Sequence, residues 1–226
     1  MSISVVFDLD GTLIDTAPDL VATLNVIFAR EGLRPVALND ARLLIGFGAR
    51  YLIERGLELQ TATASPADID RLYADYIAYY AEHIADLSRP FPGVEAALDA
   101  LQTRGCRLAV CTNKLEWLSV RLLDALNLSR RFAAICGQDT FGVQKPNPEI
   151  LRRTVLSAGG ELSRAIMVGD SATDIATAQA ARIPVIAVDF GYTNTPVAEL
   201  GPDRVISTYE VLPVAVAELM AQTAGR

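Results

Sequence analysis

Four short stretches of this chain carry side chains able to do chemistry together. The first is Asp8-Leu9-Asp10-Gly11-Thr12-Leu13. Its carboxylates stand two residues apart, which in extended backbone puts both on one side of the chain. Gly11 can take the positive φ that then turns the chain away. Adjacent carboxylates suit a metal ligand set, or a pair with separate nucleophile and acid roles. One Asp after a strand reads as a turn residue, whereas two followed by Gly and Thr exceed what a turn needs. The second stretch is Gly169-Asp170-Ser171-Ala172-Thr173-Asp174. Asp170 is placed to supply a further oxygen to a hard cation such as magnesium, which takes few carboxylates and keeps water or phosphate oxygens. Ser171 and Asp174 open the helix that follows, where Asp174 serves either the helix N-terminus or an indirect role beside the metal ligands. The third stretch, Cys111-Thr112-Asn113-Lys114, offers a hydroxyl and exposed amides to a phosphate oxygen, or caps the next helix. The fourth, Gln144-Lys145-Pro146-Asn147-Pro148, sets a lysine just before a helix that Asn147 and Pro148 start. Alone, such a lysine is a solvated surface group.

Other chemistries find less support. Cys111 has Trp117, not arginine, six positions on, so it reads as a small buried hydrophobe instead of a phosphatase thiolate. Gly46-Phe47-Gly48 imitates part of a dinucleotide fingerprint but follows a helical segment and lacks the third glycine. No Walker lysine loop is present. The single histidine, His83, falls in the middle of a predicted helix as a packing or surface residue.

The elements that must position these residues can be read from periodicity. Apolar runs at 3–7, 107–111, 165–168, 184–188 and 204–206 have the length and composition of buried parallel strands. Helix-period segments such as 94–102 and 116–126 alternate with them, which predicts an α/β fold with a doubly wound parallel sheet. From 16 to 88 the texture is helical. Thr16-Ala17-Pro18-Asp19 is a start signal, and Leu20, Leu24, Ile27 and Phe28 continue at helical spacing up to Gly32. Ser65-Pro66-Ala67-Asp68 is another, with Ile69, Leu72, Tyr73, Tyr76, Tyr80 and Ile84 on one face. Pro90, Pro92 and Gly93 make a stiff return. The predicted organisation is an α/β core of residues 1–15 and 89–226 and an inserted all-helical domain of residues 16–88.

Composition sets the bounds. Of 226 residues, 51% are hydrophobic and 21% charged, which is globular. With 27 acidic against 20 basic side chains the net charge is −7, so nucleic acid is a poor partner, and an anionic substrate needs local positive groups or a metal. Three cysteines without a C-x-x-C pair indicate neither a disulfide framework nor structural zinc. No apolar run approaches the roughly 18 residues of a membrane span. Asp8 and Asp10 interrupt the N-terminal run too early for a signal peptide. The expectation is a cytoplasmic protein with no membrane partner.

Asp-x-Asp-Gly-Thr, Thr-Asn, Lys-Pro and Gly-Asp-Ser-x-x-Asp occur in that order across nearly the whole chain. This series resembles the haloacid dehalogenase superfamily of phosphohydrolases, and the helical insertion resembles that superfamily's helical cap domain. The resemblance implies a Rossmann-like core with Asp8 as nucleophile, forming an aspartyl-phosphate, and Asp10 as the acid and then the base. It implies Mg2+ held by the carboxylates of Asp8 and Asp170 and by the backbone carbonyl of Asp10. Thr112 and the Asn113 amide would hold the phosphoryl group, and Lys145 would orient Asp8 and offset its charge. Magnesium and an ammonium group lower the repulsion between an anionic nucleophile and an anionic phosphate.

Within the superfamily, Phe7 through Thr16, Ile45-Gly46-Phe47-Gly48-Ala49-Arg50 and Phe91-Pro92-Gly93 most resemble bacterial phosphoglycolate phosphatases. That implies a small phosphorylated metabolite as partner, foremost 2-phosphoglycolate. Gly46 and Gly48 suggest a cap loop whose backbone nears the ligand, or simply a tight turn. Arg50 suits a substrate carboxylate, or faces solvent. Rival readings are a β-phosphoglucomutase-like phosphosugar mutase, a pyrophosphatase or another small-ester phosphatase, and a receiver-like phospho-accepting module. Free phosphate, an isomerised product or a long-lived phosphoprotein would tell these apart. The tyrosines at 73, 76, 79 and 80 are expected to pack within the cap, and both monomer and homodimer remain open.

Overall fold

A computed structural model describes residues 2–42, 44–193 and 195–224. In chain order the strands and helices are β1 (Ser4–Phe7), β2 (Ile14–Asp15), α1 (Ala17–Arg30), α2 (Leu38–Arg42), α3 (Ala49–Glu58), α4 (Pro66–Glu82), β3 (Arg89–Pro90), α5 (Val94–Thr103), β4 (Arg107–Cys111), α6 (Glu116–Ala125), β5 (Ala134–Cys136), α7 (Pro148–Ser157), β6 (Ala165–Gly169), α8 (Ala172–Ala181), β7 (Val185–Val188), β8 (Arg204–Ile206) and α9 (Leu212–Ala224).

Six strands form one parallel sheet in the order β5-β4-β1-β6-β7-β8. The inner strands β1, β4, β6 and β7 are almost entirely apolar and buried because both faces of the sheet are covered there. Alternate side chains point to opposite faces, so Val5, Phe7, Leu108, Val110, Ile166 and Val168 share one apolar cluster. Val6, Ala109, Cys111, Ala165 and Met167 share the other, against α7 and α8. The first cluster takes in α5, α6 and α9 and continues into α1, α3 and α4 through Leu24, Ile53 and Tyr76. The predicted α/β class and the alternation of strands with helices hold. β5, three residues at the sheet edge, was not anticipated, since Ala-Ile-Cys is too short to show a period.

The chain leaves and re-enters the sheet region side by side. β2 and β3 pair antiparallel, Ile14 with Pro90 and Asp15 with Arg89. Between them lie only helices among the described residues. The Asp19 carboxylate, buried near the start of α1, accepts from Leu87 N (3.0 Å), Ser88 N (2.7 Å) and Ser88 Oγ (2.6 Å), tying the first turn of this block to its last residues. Ser65 caps α4 as its sequence predicts, in a reciprocal box with Asp68. Thr16 precedes α1 but its side chain makes no cap bond, because its backbone (φ −96°, ψ −9°) is already helical where a capping residue is extended. His83 is not mid-helix: it stands at the C-terminal cap of α4, with Nδ1 2.7 Å from Asp86 Oδ2.

Candidate active site

In the register, Phe7 pairs with Val110 on one side and Val168 on the other. The residues just past those three strands are thereby carried to one sheet edge, the carboxyl end, where parallel α/β sheets form their sites. Asp8, Thr112 and Asp170 come from there. Gly11 has φ +86°, and a Cβ at that position would stand 2.6 Å from Asp170 Oδ2 and 2.8 Å from the Tyr192 ring, so only glycine fits the turn.

Lys145 enters from the loop before α7 and is 3% exposed. Its Nζ lies 2.7 Å from Asp8 Oδ1 and 2.6 Å from Asp174 Oδ1. Asn113 sets that loop: its Oδ1 accepts from Lys145 N (2.8 Å) while its Nδ2 donates to Lys145 O and to Gly46 O (3.2 Å each). Asn147 caps α7 by accepting from Glu149 N. Asp174 does two jobs that the sequence had posed as alternatives. Its Oδ2 accepts from Ser171 Oγ (2.6 Å) and Ser171 N (3.1 Å) in a capping box at α8, while its Oδ1 braces Lys145.

Carboxylate oxygens of Asp8, Asp170 and Asp174 lie within 4.8 Å of one another, all buried. Three carboxylates against one ammonium leave about two negative charges in a low-dielectric pocket, a hard-oxygen donor set that suits a divalent cation of the magnesium type. The carboxyls record this crowding. Burial, then Asp174, pushes Asp8 up to about 8, with Lys145 pulling the other way. Burial and Asp174 likewise raise Asp170 to about 7, against the bonds from Tyr192 N and Thr12. For Lys145, burial favours the neutral form, but Asp174 and Asp8 outweigh it and the net shift is upward. Burial pushes the Cys111 thiol up to about 12, which leaves it no thiolate role.

The Asp10 side chain points away from this cluster. Its Oδ1 accepts from Thr16 Oγ1 at 2.7 Å, and its Oδ2 lies 3.1 Å from Lys114 Nζ. Thr112 Oγ1 accepts from Lys114 N at 3.2 Å. Asp8, Asp10, Thr112, Asn113, Gly46 and Gly48 line one cleft, whose opposite wall comes from α1, α3 and α4. Both glycines have positive φ, +106° and +92°. Arg50 does not reach the cleft. It pairs with Asp70 beside the Tyr73 ring, with 48% of its side chain exposed.

Three contributors had no role in the sequence reading. Thr12 Oγ1 donates to Asp170 Oδ1 (2.7 Å). Tyr192 donates through its N to Asp170 Oδ2 (2.8 Å), and its hydroxyl bridges Ala17 N and Asp15 Oδ1. Lys114 holds Asp10. Thr12 and Lys114 sit inside quoted motifs and had a signal; Tyr192, in the loop after β7, had none.

Residues 5–188 match the family model described as haloacid dehalogenase-like hydrolase. The chain is similar to the phosphoglycolate phosphatase of Mesorhizobium japonicum, 49% identical over 221 residues that cover 98% of this chain and 97% of that one. It is also similar to the phosphoglycolate phosphatase of Agrobacterium fabrum, 48% identical over 213 residues, 94% and 91% of the two chains. Among solved structures, that of a predicted phosphoglycolate phosphatase from Haemophilus somnus 129PT superposes with a TM-score of 0.89 at 27% identity, covering 95% of this chain and 97% of that one. With a match over most of its length and its motifs gathered at one sheet edge, the chain belongs to the haloacid dehalogenase-like hydrolases.

Proposed function

We propose that this phosphoric monoester hydrolase is a magnesium-dependent phosphatase of 2-phosphoglycolate, acting in the cytoplasm through an aspartyl-phosphate. The observation that carries the reading is the placement of Asp8 and Asp10 in one cleft, each held by its own ammonium group, Lys145 at 2.7 Å and Lys114 at 3.1 Å. The names of the two relatives support the substrate. Residues 16–88 act as a cap over the core of residues 1–15 and 89–226, closing on the bound ester.

An Asp8 carboxylate oxygen attacks phosphorus, and the bond from phosphorus to the ester oxygen breaks. The departing alkoxide takes a proton from the Asp10 carboxyl, giving glycolate. Asp10, now ionised, takes a proton from water, whose oxygen attacks the same phosphorus. The acyl bond to Asp8 breaks and inorganic phosphate leaves. The Thr112 hydroxyl and the Asn113 N–H hold the phosphoryl oxygens. Lys145 orients Asp8 and offsets its charge, braced by Asp174. Magnesium, held by the Asp8 and Asp170 carboxylates and the Asp10 carbonyl, would neutralise charge on the transferring phosphoryl group.

The test is kcat/KM across 2-phosphoglycolate, pyrophosphate and phosphosugars, with phosphate release as readout. A higher value for phosphoglycolate supports the reading, and a clear preference for another ester, or isomerised product without phosphate, rejects it. Asp10→Asn should accumulate a phosphorylated protein and release phosphate slowly. Wild-type turnover in that variant would reject the acid/base assignment.

A further inference from the structure

The cleft has two unlike walls. The core side is polar, while the cap side is largely apolar, with Leu20, Ile45, Leu52 and Ile77. Among the described residues Lys114 is the one cationic side chain lining it. Lys114 is 6% exposed, with Nζ 3.1 Å from Asp10 Oδ2 and 4.7 Å from the centroid of the Tyr80 ring. Tyr80 lines the same cleft, is 1% exposed, and its hydroxyl is buried without a hydrogen-bond partner. A buried hydroxyl in that condition is costly, and in a cleft it marks a place where a ligand atom completes the bonding. An ammonium has three protons to donate, so beyond Asp10 it keeps capacity for a ligand.

We propose that Lys114 and the Tyr80 hydroxyl form the subsite for the non-phosphate end of the substrate, and that this subsite selects a carboxylate on the carbon bearing the phosphate ester. The inference rests on the phosphatase reading above. Asp10 serves the ester oxygen, so an ammonium bonded to Asp10 stands within about 6 to 8 Å of that oxygen, two hydrogen-bond lengths and at most the width of the carboxylate. In an α-phosphooxy acid the carboxylate oxygens lie only about 3 Å from the ester oxygen by covalent geometry, so Lys114 can bridge Asp10 and the acid together. A carboxylate one or two carbons further out would meet the apolar cap wall, where a desolvated charge is unpaired. A neutral sugar would give the ammonium no anionic partner beyond Asp10. Lys114 thus acts as a positioning residue for Asp10 and a specificity residue for substrate at once.

The experiment compares 2-phosphoglycolate with ethyl phosphate, the same ester without the carboxylate, in the magnesium-loaded full-length protein. Wild type should favour phosphoglycolate. Lys114→Met should shrink the ratio of the two kcat/KM values by about 30- to 100-fold, as expected when one hydrogen bond to a charged group of the substrate is lost. Lys114→Arg should recover part of that ratio, which a purely structural lysine would not do. Tyr80→Phe should raise KM for phosphoglycolate by about 3- to 10-fold with kcat little changed. Its melting temperature should not fall, because the hydroxyl has no partner to lose. If wild type prefers phosphoglycolate and both Lys114→Met and Tyr80→Phe keep the full ratio, the subsite is overturned while the substrate reading stands. If Lys114→Met does not fold, an unchanged ratio in Tyr80→Phe overturns it. If wild type prefers a sugar phosphate or pyrophosphate, the substrate reading falls and takes the subsite with it.

Discussion

Lys145 donates to Asp8 and Asp174 at once from a position closed to solvent. Removing it leaves three buried carboxylates facing one another, and a broken buried pair costs about 3–5 kcal/mol because the remaining charge is uncompensated. Lys145→Met should lower the unfolding free energy by about that amount in urea titrations without metal, and should abolish turnover. Asp8→Asn makes the opposite case. It removes the proposed nucleophile and should end turnover, yet it also removes one crowded charge while Lys145 keeps Asp174. Its melting temperature in the presence of a chelator should therefore equal or exceed that of wild type, and a marked fall would contradict the crowding inferred at Asp8. The site residues that were legible are those whose type and order in the chain carry chemistry. Thr12 and Lys114 were visible but mute, since a hydroxyl or ammonium declares its role only when its partner, Asp170 or Asp10, is known.

Ser171 links an element to the site. Its hydroxyl caps α8 by accepting from Asp174 N and, in a second bond, donates to Asp174 Oδ2, holding that carboxylate behind Lys145. Ser65 makes the equivalent box at α4, at an exposed position. Losing either cap should cost about 1 kcal/mol. Ser171→Ala should in addition depress kcat, whereas Ser65→Ala should leave kcat at the wild-type value, as denaturant curves and steady-state rates would report. Equal kinetics in the two variants would separate Asp174 from the site. Element starts were readable where the residue before the helix is extended, as Ser65 and Ser171 are, since a hydroxyl there accepts from the helix N–H while donating to a carboxylate. Thr16 shows the limit: its backbone is already helical (φ −96°, ψ −9°), its hydroxyl donates to Asp10, and its side chain makes no cap bond.

At the scale of the molecule, the raised carboxyls couple fold stability to pH and to metal. Asp8 at about 8 and Asp170 at about 7 lie above their ordinary value of 3.8. The folded chain therefore binds protons that the unfolded chain releases near pH 4, and stability falls as pH rises from there to about 8. A divalent cation bound at these carboxyls would replace those protons. Without metal the melting temperature should drop between pH 5 and pH 9, and added Mg2+ should raise it more at pH 8.5 than at pH 6. A magnesium shift independent of pH would mean that the cation does not bind these carboxyls. Chelation should stop turnover at pH 7 while leaving the chain folded, since the cluster joining the sheet to α1, α3 and α4 is held by apolar burial and includes none of the site carboxylates.

Local order in the chain determined the α/β class, the helical insertion after β1, and the four motifs, because apolar period, cap residues and carboxylate spacing act over a few residues. The tertiary structure alone decided three things. Parallel register placed Asp8, Thr112 and Asp170 at one edge. Packing of α1, α3 and α4 over the sheet edge kept Arg50 outside the cleft and left Lys114 as its one cation among the described residues. The loop after β7 brought Tyr192 onto Asp170 from 22 residues away in sequence. Each depends on which surfaces are buried against which, and burial sets both the strength of these ion pairs and the proton affinity of the acids between them.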